Sequence, residues 1–253
     1  MPLSVDLSGR VALVTGGSQG IGAGIAQVLV EAGATVVTCA RSAVESAAPG
    51  TTHVQCDVRD PDAVTAMVEG IAAEHGRLDV AVNNAGGAPY AEAATASPRF
   101  SEKVLGLNLT AALHVAQAAN TVMQPQGSGA IVNISSVSAL RPSPGTAVYG
   151  AAKAGLDSLT RSLAVEWGPA VRVNSVDVGL CRTEQTSDHY GGDETVAAIE
   201  QTIPLGRMAD PLEVGRVVAF LASDLASYVS GACVECHGGG EPPVFLHVLK
   251  ESS

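Results

Sequence analysis

Short runs rich in valine and isoleucine alternate along the chain with longer stretches whose apolar residues recur at helical spacing. In chain order these segments include RVALVT, IGAGIAQVLVEAG, TVVTC, THVQC, PDAVTAMVEGIAAEHG, LDVAVNN, AIVNIS, VYGAAKAGLDSLTRSLAVEWG, VRVNSV, DPLEVGRVVAFLAS and ACVEC. Continuous apolar strands are typical of a parallel sheet buried on both faces, and their alternation with helices indicates right-handed βαβ units. The pattern predicts an α/β fold with a doubly wound parallel sheet of about seven strands and helices on both faces.

The whole chain, residues 1–253, is expected to form a single domain. Its length suits one large α/β domain and is short for two, and no linker or internal repeat interrupts the pattern. The segment 181–208 stands out because it carries the polar run TSDHYGGDE after a predicted strand. Ligands bind at the carboxyl ends of strands in such sheets, so the segment is either a lid over the substrate or a solvated surface loop.

Charge and hydropathy narrow the range of partners. A net charge of -11 opposes binding to nucleic acid, which needs clustered Lys and Arg. No stretch approaches the ~18 apolar residues of a membrane span, and the N-terminus lacks the pattern of a signal peptide, so we expect a cytoplasmic protein that does not bind membranes. The five cysteines are odd in number and stand mostly in apolar surroundings, which favours buried, reduced thiols.

The first predicted strand runs directly into a glycine-rich turn, and a helix follows at once. Glycines let the backbone turn tightly and approach a pyrophosphate, whose charge then meets free N–H groups at the N-terminus of the helix. The glycines stand at 16, 20 and 22, which departs from the commonest dinucleotide spacing. The turn predicts a cofactor site that includes Gly16, Ser18, Gln19, Gly20, Ile21 and Gly22.

Arg41 and Ser42 follow the second predicted strand, where NAD-binding proteins often carry an acidic residue for the ribose 2′-hydroxyl. An arginine beside a hydroxyl can instead hold a 2′-phosphate by charge-assisted hydrogen bonds. NADP(H) is therefore favoured, with NAD(H) as the alternative, and an arginine that merely faces water is the competing interpretation. Asp57 and the turn at 83–87 are by themselves ordinary helix-start and loop signals.

Tyr149 and Lys153 have the spacing that places two side chains on one face of a helix, one turn apart. A free phenol has a pKa of about 10, so a tyrosine acts as a base at neutral pH only if a nearby cation stabilises its phenolate. Lys153 can supply that cation. Ser136, after the strand AIVNIS, could donate a hydrogen bond to a substrate carbonyl. A lone Tyr-x-x-x-Lys pair is a weak signal, because such pairs arise often on exposed helices.

The combination of motifs resembles the short-chain dehydrogenase/reductase family over nearly the whole chain. The residues that carry the resemblance, in this order and spacing, are Thr15, Gly16, Gly20, Ile21, Gly22, Asp57, Asn83, Asn84, Ala85, Gly86, Asn108, Ser136, Tyr149 and Lys153. The resemblance implies a Rossmann-like NAD(P)-binding domain and an enzyme that transfers hydride between a nicotinamide cofactor and an alcohol or carbonyl substrate.

The resemblance also implies a role for each site residue. Tyr149 gives or takes the hydroxyl proton, Ser136 positions the carbonyl, Lys153 holds the nicotinamide ribose and lowers the tyrosine pKa, and Asn108 keeps a water in the proton relay. Asp57 is assigned to the adenine, the 84–86 turn to the adenosine ribose side, and Thr183 to the nicotinamide carboxamide. The implied cofactor contacts are completed by Val58, Asn84, Ala85, Gly86, Tyr149, Lys153 and Gly179.

Three departures from the family pattern stand out. Val178 and Gly179 occupy the place of the usual Pro-Gly, which makes the loop less rigid. Between Arg41 and Asp57 the segment SAVESAAPG stands in the place of the usual helix, so we expect that helix to be shortened and one edge of the adenine pocket to be thinner. His237 replaces the usual aspartate before two glycines, and the sequence offers no reason for it.

Cys233 to His237 also match the C-x-x-C-H pattern of haem attachment. Residues three apart on a strand point to opposite faces, so the two thiols would not converge on a haem or zinc, and plain strand cysteines without a metal are expected.

Two alternatives to a dehydrogenase stay open. One is a dinucleotide-binding sensor or scaffold without redox turnover, against which the complete set of catalytic residues argues. The other is a different reaction on the same cofactor, such as epimerisation. The sequence does not identify the substrate. A homo-oligomer, most simply a tetramer, is expected because the catalytic helix carries a surface of small residues suited to close packing: Gly150, Ala151, Ala152, Ala154 and Gly155.

Overall fold

The computed structural model describes residues 4–43 and 47–242. Seven parallel strands form one sheet in the order β3-β2-β1-β4-β5-β6-β7. The strands are β1 (Val11–Thr15), β2 (Thr35–Ala40), β3 (Thr51–Gln55), β4 (Val80–Asn83), β5 (Gly129–Ser136), β6 (Val171–Val178) and β7 (Cys233–Cys236). The order reverses between β1 and β4, which is where ligands bind in doubly wound sheets. The predicted fold class is confirmed.

Helices cover both faces of this sheet. They are α1 (Gly20–Glu31), α2 (Pro61–His75), α3 (Pro98–Leu105), α4 (Ala111–Gln126), α5 (Ala147–Trp167), α6 (Thr186–Tyr190), α7 (Asp193–Glu200) and α8 (Pro211–Ala222). A π-helical turn, Gly106–Thr110, joins α3 to α4. None of the helices within the described ranges is long and apolar enough to cross a membrane.

Alternate residues of β1 supply the two apolar cores, because successive side chains of a strand point to opposite faces. Ala12 and Val14 pack with buried residues of α1 and α8, whereas Val11 and Leu13 pack with those of α2, α4 and α5. The continuous apolar runs of the sequence therefore become strands covered on both sides.

Three helices begin where a capping residue precedes a proline. Asp60 accepts hydrogen bonds from two main-chain N–H groups of α2, and Ser97 caps α3 in the same way. Asp210 and Glu213 form a capping box at the start of α8. Proline suits the next position because its missing N–H would have no partner there.

A buried line of polar side chains joins the sheet to α5. Asn83 on β4 donates to Asn133 Oδ1 on β5 at 2.8 Å, and Asn133 donates to Thr160 Oγ1 on α5 at 2.8 Å. Buried amides are costly unless paired, so these bonds favour one position of α5 against the strands. They help to fix the helix that carries Tyr149 and Lys153.

Two expectations about loops can be compared with the structure. Between β2 and β3, residues 41–43 and 47–50 form no helix, while residues 44–46 lie outside the described residues. The segment 181–208 contains α6 and α7, which the sequence pattern did not predict because both helices are short.

All five cysteines are free, but only Cys39 and Cys56 are fully buried, so the expectation of buried thiols was wrong for the other three.

Candidate active site

Two adjoining cavities open at the carboxyl ends of the central strands. One, of about 340 Å³, is lined by predicted residues from the turn after β1, α1, the turn after β4, β5, α5 and the loop after β6: Gly16, Gln19, Gly20, Ile21, Gly22, Asn84, Ala85, Gly86, Ser136, Tyr149, Lys153, Gly179 and Thr183. The other, of about 440 Å³, adds Ser18, Arg41, Ser42 and Val58 and shares Gly16, Gln19, Ala85 and Gly86 with the first. Asn108 and Asp57 line neither cavity.

The glycine-rich turn is shaped by close contacts that exclude side chains. Gly16 has a φ of +63°, and a Cβ on Gly22 would lie 2.2 Å from the carbonyl oxygen of Gly16. Gln19 precedes α1 without a capping side-chain hydrogen bond, so the first N–H groups of the helix are left for a ligand. A glycine cradle at a helix N-terminus fits the pyrophosphate of a dinucleotide.

Thr15 joins this turn to the end of β4. Its hydroxyl donates to the carbonyl of Val82 and accepts from the main-chain N–H groups of Asn84 and Ala85, both at 3.0 Å. The Asn84 amide in turn donates to the carbonyl oxygens of Thr15 and Gly16. Thr15 was not among the predicted site residues, although a hydroxyl at the end of an apolar strand is the signal that could have found it.

The cavity beside β2 contains the predicted cation, and a second arginine lies nearby. Arg59 donates to both oxygens of Asp57, from Nε at 2.9 Å and from Nη2 at 2.5 Å. These hydrogen bonds, with a smaller effect of the Arg41 charge, lower the pKa of Asp57 to about 2. The sequence analysis missed Arg59. Its position two residues after a carboxylate at a helix start was the available signal.

Lys153 is buried under the first cavity. Its ammonium donates to the carbonyl oxygen of Ile134 at 2.7 Å and lies 5.5 Å from the centre of the Tyr149 ring. Burial lowers the pKa of Lys153 to about 8, and the negative charge of Asp157 opposes that change. The lysine therefore stays largely charged near neutral pH although it is only 4% exposed.

Burial raises the pKa of Tyr149, a hydrogen bond with Ser136 lowers it, and Tyr190 raises it. The phenol is therefore protonated near neutral pH. Ser136 ends β5, and its hydroxyl also accepts from the N–H of Ser138 at 3.1 Å. The predicted trio of Ser136, Tyr149 and Lys153 is thus brought together at one cavity, with a proton on the tyrosine and a positive charge beside its ring.

Asn108 occupies the π-helical turn between α3 and α4, and its side chain contacts main-chain groups. The amide accepts from the N–H of Gly87 at 2.8 Å and donates to the carbonyls of Gly87 and Val104. A Cβ on Gly86 would lie 2.7 Å from Asn108 Oδ1 and 3.3 Å from Lys153 Nζ, so Gly86 separates the two. Asn108 holds the loop after β4, and its role in a water relay stays a prediction.

Val178 and His237 stand in two segments that contact each other, and nothing in the structure explains the two replacements. Gly179 donates to the carbonyl of Cys236 at 3.0 Å, and a Cβ on Gly179 would lie 2.7 Å from His237 Cα, so the two backbones touch. His237 is anchored by a hydrogen bond with Glu235. In the segment that follows, the Thr183 N–H donates to Thr186 Oγ1. A Cβ on Gly20 would lie 3.4 Å from the Thr183 side chain, so the start of 181–208 lies beside Gly20.

No three His, Cys, Asp or Glu side chains in the described part of the chain lie close enough to hold a metal ion. Cys233 and Cys236 are both partly buried on β7.

Comparison with known proteins gives the family. Residues 16–241 match the family described as Enoyl-(Acyl carrier protein) reductase. The chain is 40% identical to cis-4-hydroxycyclohexanecarboxylate dehydrogenase of Sinomonas cyclohexanicum (91% of this chain, 96% of the relative) and 34% identical to 3alpha-hydroxysteroid dehydrogenase of Mediterraneibacter gnavus (92% and 97%). A structure assigned to a short-chain alcohol dehydrogenase from Sinorhizobium meliloti has a TM-score of 0.87 at 37% identity (93% and 97% covered).

The chain belongs to the short-chain dehydrogenase/reductase family. It is an NAD(P)-dependent oxidoreductase that acts on CH–OH and C=O groups.

Proposed function

We propose that this oxidoreductase prefers NADP(H) and uses Tyr149 to exchange a proton with the oxygen of a small alcohol or carbonyl substrate. The observation that carries the proposal is the arrangement of Ser136, Tyr149 and Lys153 at a cavity that also contains the glycine cradle. A sensor or scaffold without turnover is the alternative, and it has no use for a protonated phenol held beside a buried ammonium.

The nicotinamide cofactor, when bound, supplies or accepts the hydride. The residues of the chain hold and move the proton. In reduction, the Tyr149 hydroxyl donates its proton to the developing alkoxide while Ser136 donates a hydrogen bond to the same oxygen. The Lys153 ammonium stabilises the phenolate that is left, and it is fixed for this by the carbonyl of Ile134. In oxidation, the same groups act in reverse.

The residues around the cavities fit a dinucleotide. Gly16, Gly20 and Gly22 would hold the pyrophosphate, and the 84–86 turn would hold the adenosine ribose side. Arg41 and Ser42 would hold a 2′-phosphate, and Arg59 would hold Asp57 near the adenine through the two hydrogen bonds described above. Val58, Gly179 and Thr183 would complete the contacts. A cation and no carboxylate at the end of β2 supports NADP(H) over NAD(H).

For the substrate, we propose a cyclic secondary alcohol that carries a carboxylate. The relative at 40% identity is named for such a compound. On this chain the matching cation is Arg141, which pairs with Glu241 at 2.6 Å. Arg141 and Glu241 both act on the pKa of Tyr190, and Tyr190 acts on that of Tyr149, which supports a role of the arginine near the substrate. Among the described residues, the buried Nε of Arg141 has no hydrogen-bond partner.

Further proposals concern the whole molecule. We propose one domain over residues 1–253, with 181–208 as the substrate lid. We also propose a cytoplasmic homo-oligomer, such as a tetramer, that assembles through α5. Of the small residues on α5, Ala151 and Ala154 are exposed and open to a partner, whereas Gly150 and Ala152 are buried within the protomer.

The experiment that tests the proposed function is cofactor absorbance with a panel of alcohols and ketones, run in parallel with NADP(H) and NAD(H). Net, sustained turnover that is lost in Tyr149→Phe supports the dehydrogenase. Cofactor binding without turnover of any member of the panel supports the sensor. Product formation without net cofactor change supports epimerisation.

A further inference from the structure

A buried carboxyl group, Asp177, lies behind the proposed catalytic lysine on β6, the strand next to the edge strand β7. Its strand β6 pairs with β5 and β7, so that Ser135, Asp177 and Glu235 stand side by side in register. Asp177 is 1% exposed, and neither of its oxygens makes a hydrogen bond of normal geometry within the described ranges. A buried carboxylate without hydrogen bonds is costly, so a proton or a neighbouring charge must compensate for it.

The helix over this face brings a second carboxyl group to the same place. Asp157 on α5 stands one turn after Lys153 and accepts a hydrogen bond from Ser175 Oγ, two residues before Asp177, at 3.1 Å. Ser135 Oγ reaches the carbonyl oxygen of Lys153 at 3.3 Å. Residues two apart on a strand share a face, so Ser175 and Asp177 both look toward α5. Asp157 therefore lies on the same side of the sheet as Asp177 and one helical turn from Lys153.

Burial first, and then the Asp157 charge, raise the pKa of Asp177 to about 7. Asp177 therefore carries a proton on the acid side of neutrality and a negative charge on the alkaline side. The Asp157 charge already opposes the loss of the Lys153 proton. A second negative charge behind Asp157 acts in the same direction, because it also favours the ammonium over the neutral amine.

We propose that Asp177 is a positioning residue for Lys153: together with Asp157 it forms a buried pair of carboxyl groups between β6 and α5, and the negative charge of this pair favours the ammonium form of Lys153. This inference goes beyond the proposed function and rests on it only where turnover is concerned. It gives a lysine that is 4% exposed a second carboxyl group whose charge opposes the effect of burial on the lysine pKa.

The other charged groups around Asp177 are few. On β7, Glu235 and Cys233 face this region, and Glu235 is held by His237 with its side chain 57% exposed. On α5, Arg161 acts on Cys233 from the far side. β5 contributes the uncharged Ser135. Glu235 thus provides a matched control, because it neighbours Asp177 in register and has the same charge but is screened by solvent.

The sequence makes a direct measurement feasible, because it contains only three lysines. Lysine labelled with 13C at Cε would be incorporated, and the Lys153 signal assigned by its loss in Lys153→Arg. In the unmodified protein, the Lys153 shift should show one inflection near the pKa of Asp177 and a second at its own pKa. Asp177→Asn should remove the first inflection and lower the pKa of Lys153 by about one unit. Glu235→Gln should change it by less than about 0.3 unit.

Identical Lys153 titrations in the unmodified protein and in Asp177→Asn would overturn the proposal, as would an equal effect of Glu235→Gln. If Asp177→Asn does not fold, the presence or absence of the first inflection in the unmodified protein decides whether the proposal holds. Asp177→Ser provides a second variant. The alkaline limb of kcat should move with the Lys153 pKa. A shift in the Lys153 titration that leaves kcat unmoved would support the charge coupling and remove Lys153 from the proposed chemistry, so the two failures are distinguishable.

Discussion

The ammonium of Lys153 is held by the carbonyl oxygen of Ile134, 2.7 Å away, and this contact places the charge 5.5 Å from the centre of the Tyr149 ring. The strand thus fixes a cation beside a phenol that belongs to the same helix face. Burial raises the pKa of Tyr149 and lowers that of Lys153, so each group is displaced toward its neutral form. The proton on Tyr149 and the charge on Lys153 therefore change with pH as one coupled pair.

Replacing Tyr149 by Phe tests the role of the Tyr149–Lys153 pair directly. The change removes the hydroxyl that hydrogen-bonds with Ser136 but keeps the ring, so the affinity for cofactor should change little while kcat falls by at least about a hundredfold. Lys153→Ala should impair both, because the ammonium is proposed to contact the cofactor ribose as well. Fluorescence titration of NADPH and single-turnover kinetics separate the two effects. A Tyr149→Phe protein that keeps more than about a tenth of kcat would place the proton donor elsewhere.

Arg41→Ala tests the preference for NADP(H). Loss of a charge-assisted hydrogen bond to the 2′-phosphate should weaken NADP(H) binding by about 1 to 3 kcal/mol and leave NAD(H) binding nearly unchanged. Titration calorimetry with both cofactors measures the difference. Arg216→Ala removes the same charge from an exposed position on α8 and serves as the control. Equal affinities of the unmodified protein for the two cofactors would contradict the preference.

Asp177 should also make stability depend on pH in an unusual direction. Its pKa is raised from 3.8 to about 7 in the folded state, so between these values the folded protein binds more protons than the unfolded chain. Stability must therefore fall as pH rises through this window. Asp177→Asn should remove that fall and be more stable than the unmodified protein at pH 8, by about 1 to 3 kcal/mol.

Urea unfolding at pH 5 and pH 8 measures this effect without any substrate. Glu235→Gln is again the control, since its exposed carboxylate should leave the pH dependence in place. An Asp177→Asn protein with the same dependence as the unmodified one would show that Asp177 is ionised throughout the range.

Much of the fold could be predicted because local patterns determine it. Apolar runs gave the strands, and the glycine turn and the Tyr149–Lys153 spacing lie within one or two neighbouring elements. The Asp157–Asp177 pair could not be predicted, because its two members are brought together only by the packing of α5 on β6. A carboxylate inside the apolar run VRVNSVDV was the one visible signal. The Arg59–Asp57 pair was missed for a different reason: Asp57 was interpreted as a helix-start residue, whereas the structure gives that place to Asp60.

Gly22→Ala tests the cradle. The added Cβ would lie 2.2 Å from the carbonyl oxygen of Gly16 and 2.4 Å from the Asn84 amide, so the turn must open. We expect a loss of about 1 to 3 kcal/mol in stability and at least about tenfold weaker cofactor binding. Gly70→Ala, in an open position on α2 with nothing within 4 Å, should instead stabilise by about 0.5 to 1 kcal/mol. Normal cofactor affinity in folded Gly22→Ala protein would show that the turn does not hold the pyrophosphate.

Arg141→Gln tests the proposed carboxylate subsite. With a hydroxycyclohexanecarboxylate as substrate, loss of the cation should raise KM by about tenfold or more, while the methyl ester of the same compound should be turned over as before. Glu241→Gln should instead lower KM for the acid. Glu241 pairs with the Arg141 guanidinium, which the substrate carboxylate would need as its own partner. Arg10→Gln, which removes a cation paired with Asp224 at the amino ends of the strands, is the control for net charge. If Arg141→Gln affects the acid and the ester equally, the arginine only supports the loop after Ser136, and the substrate is recognised without its charge.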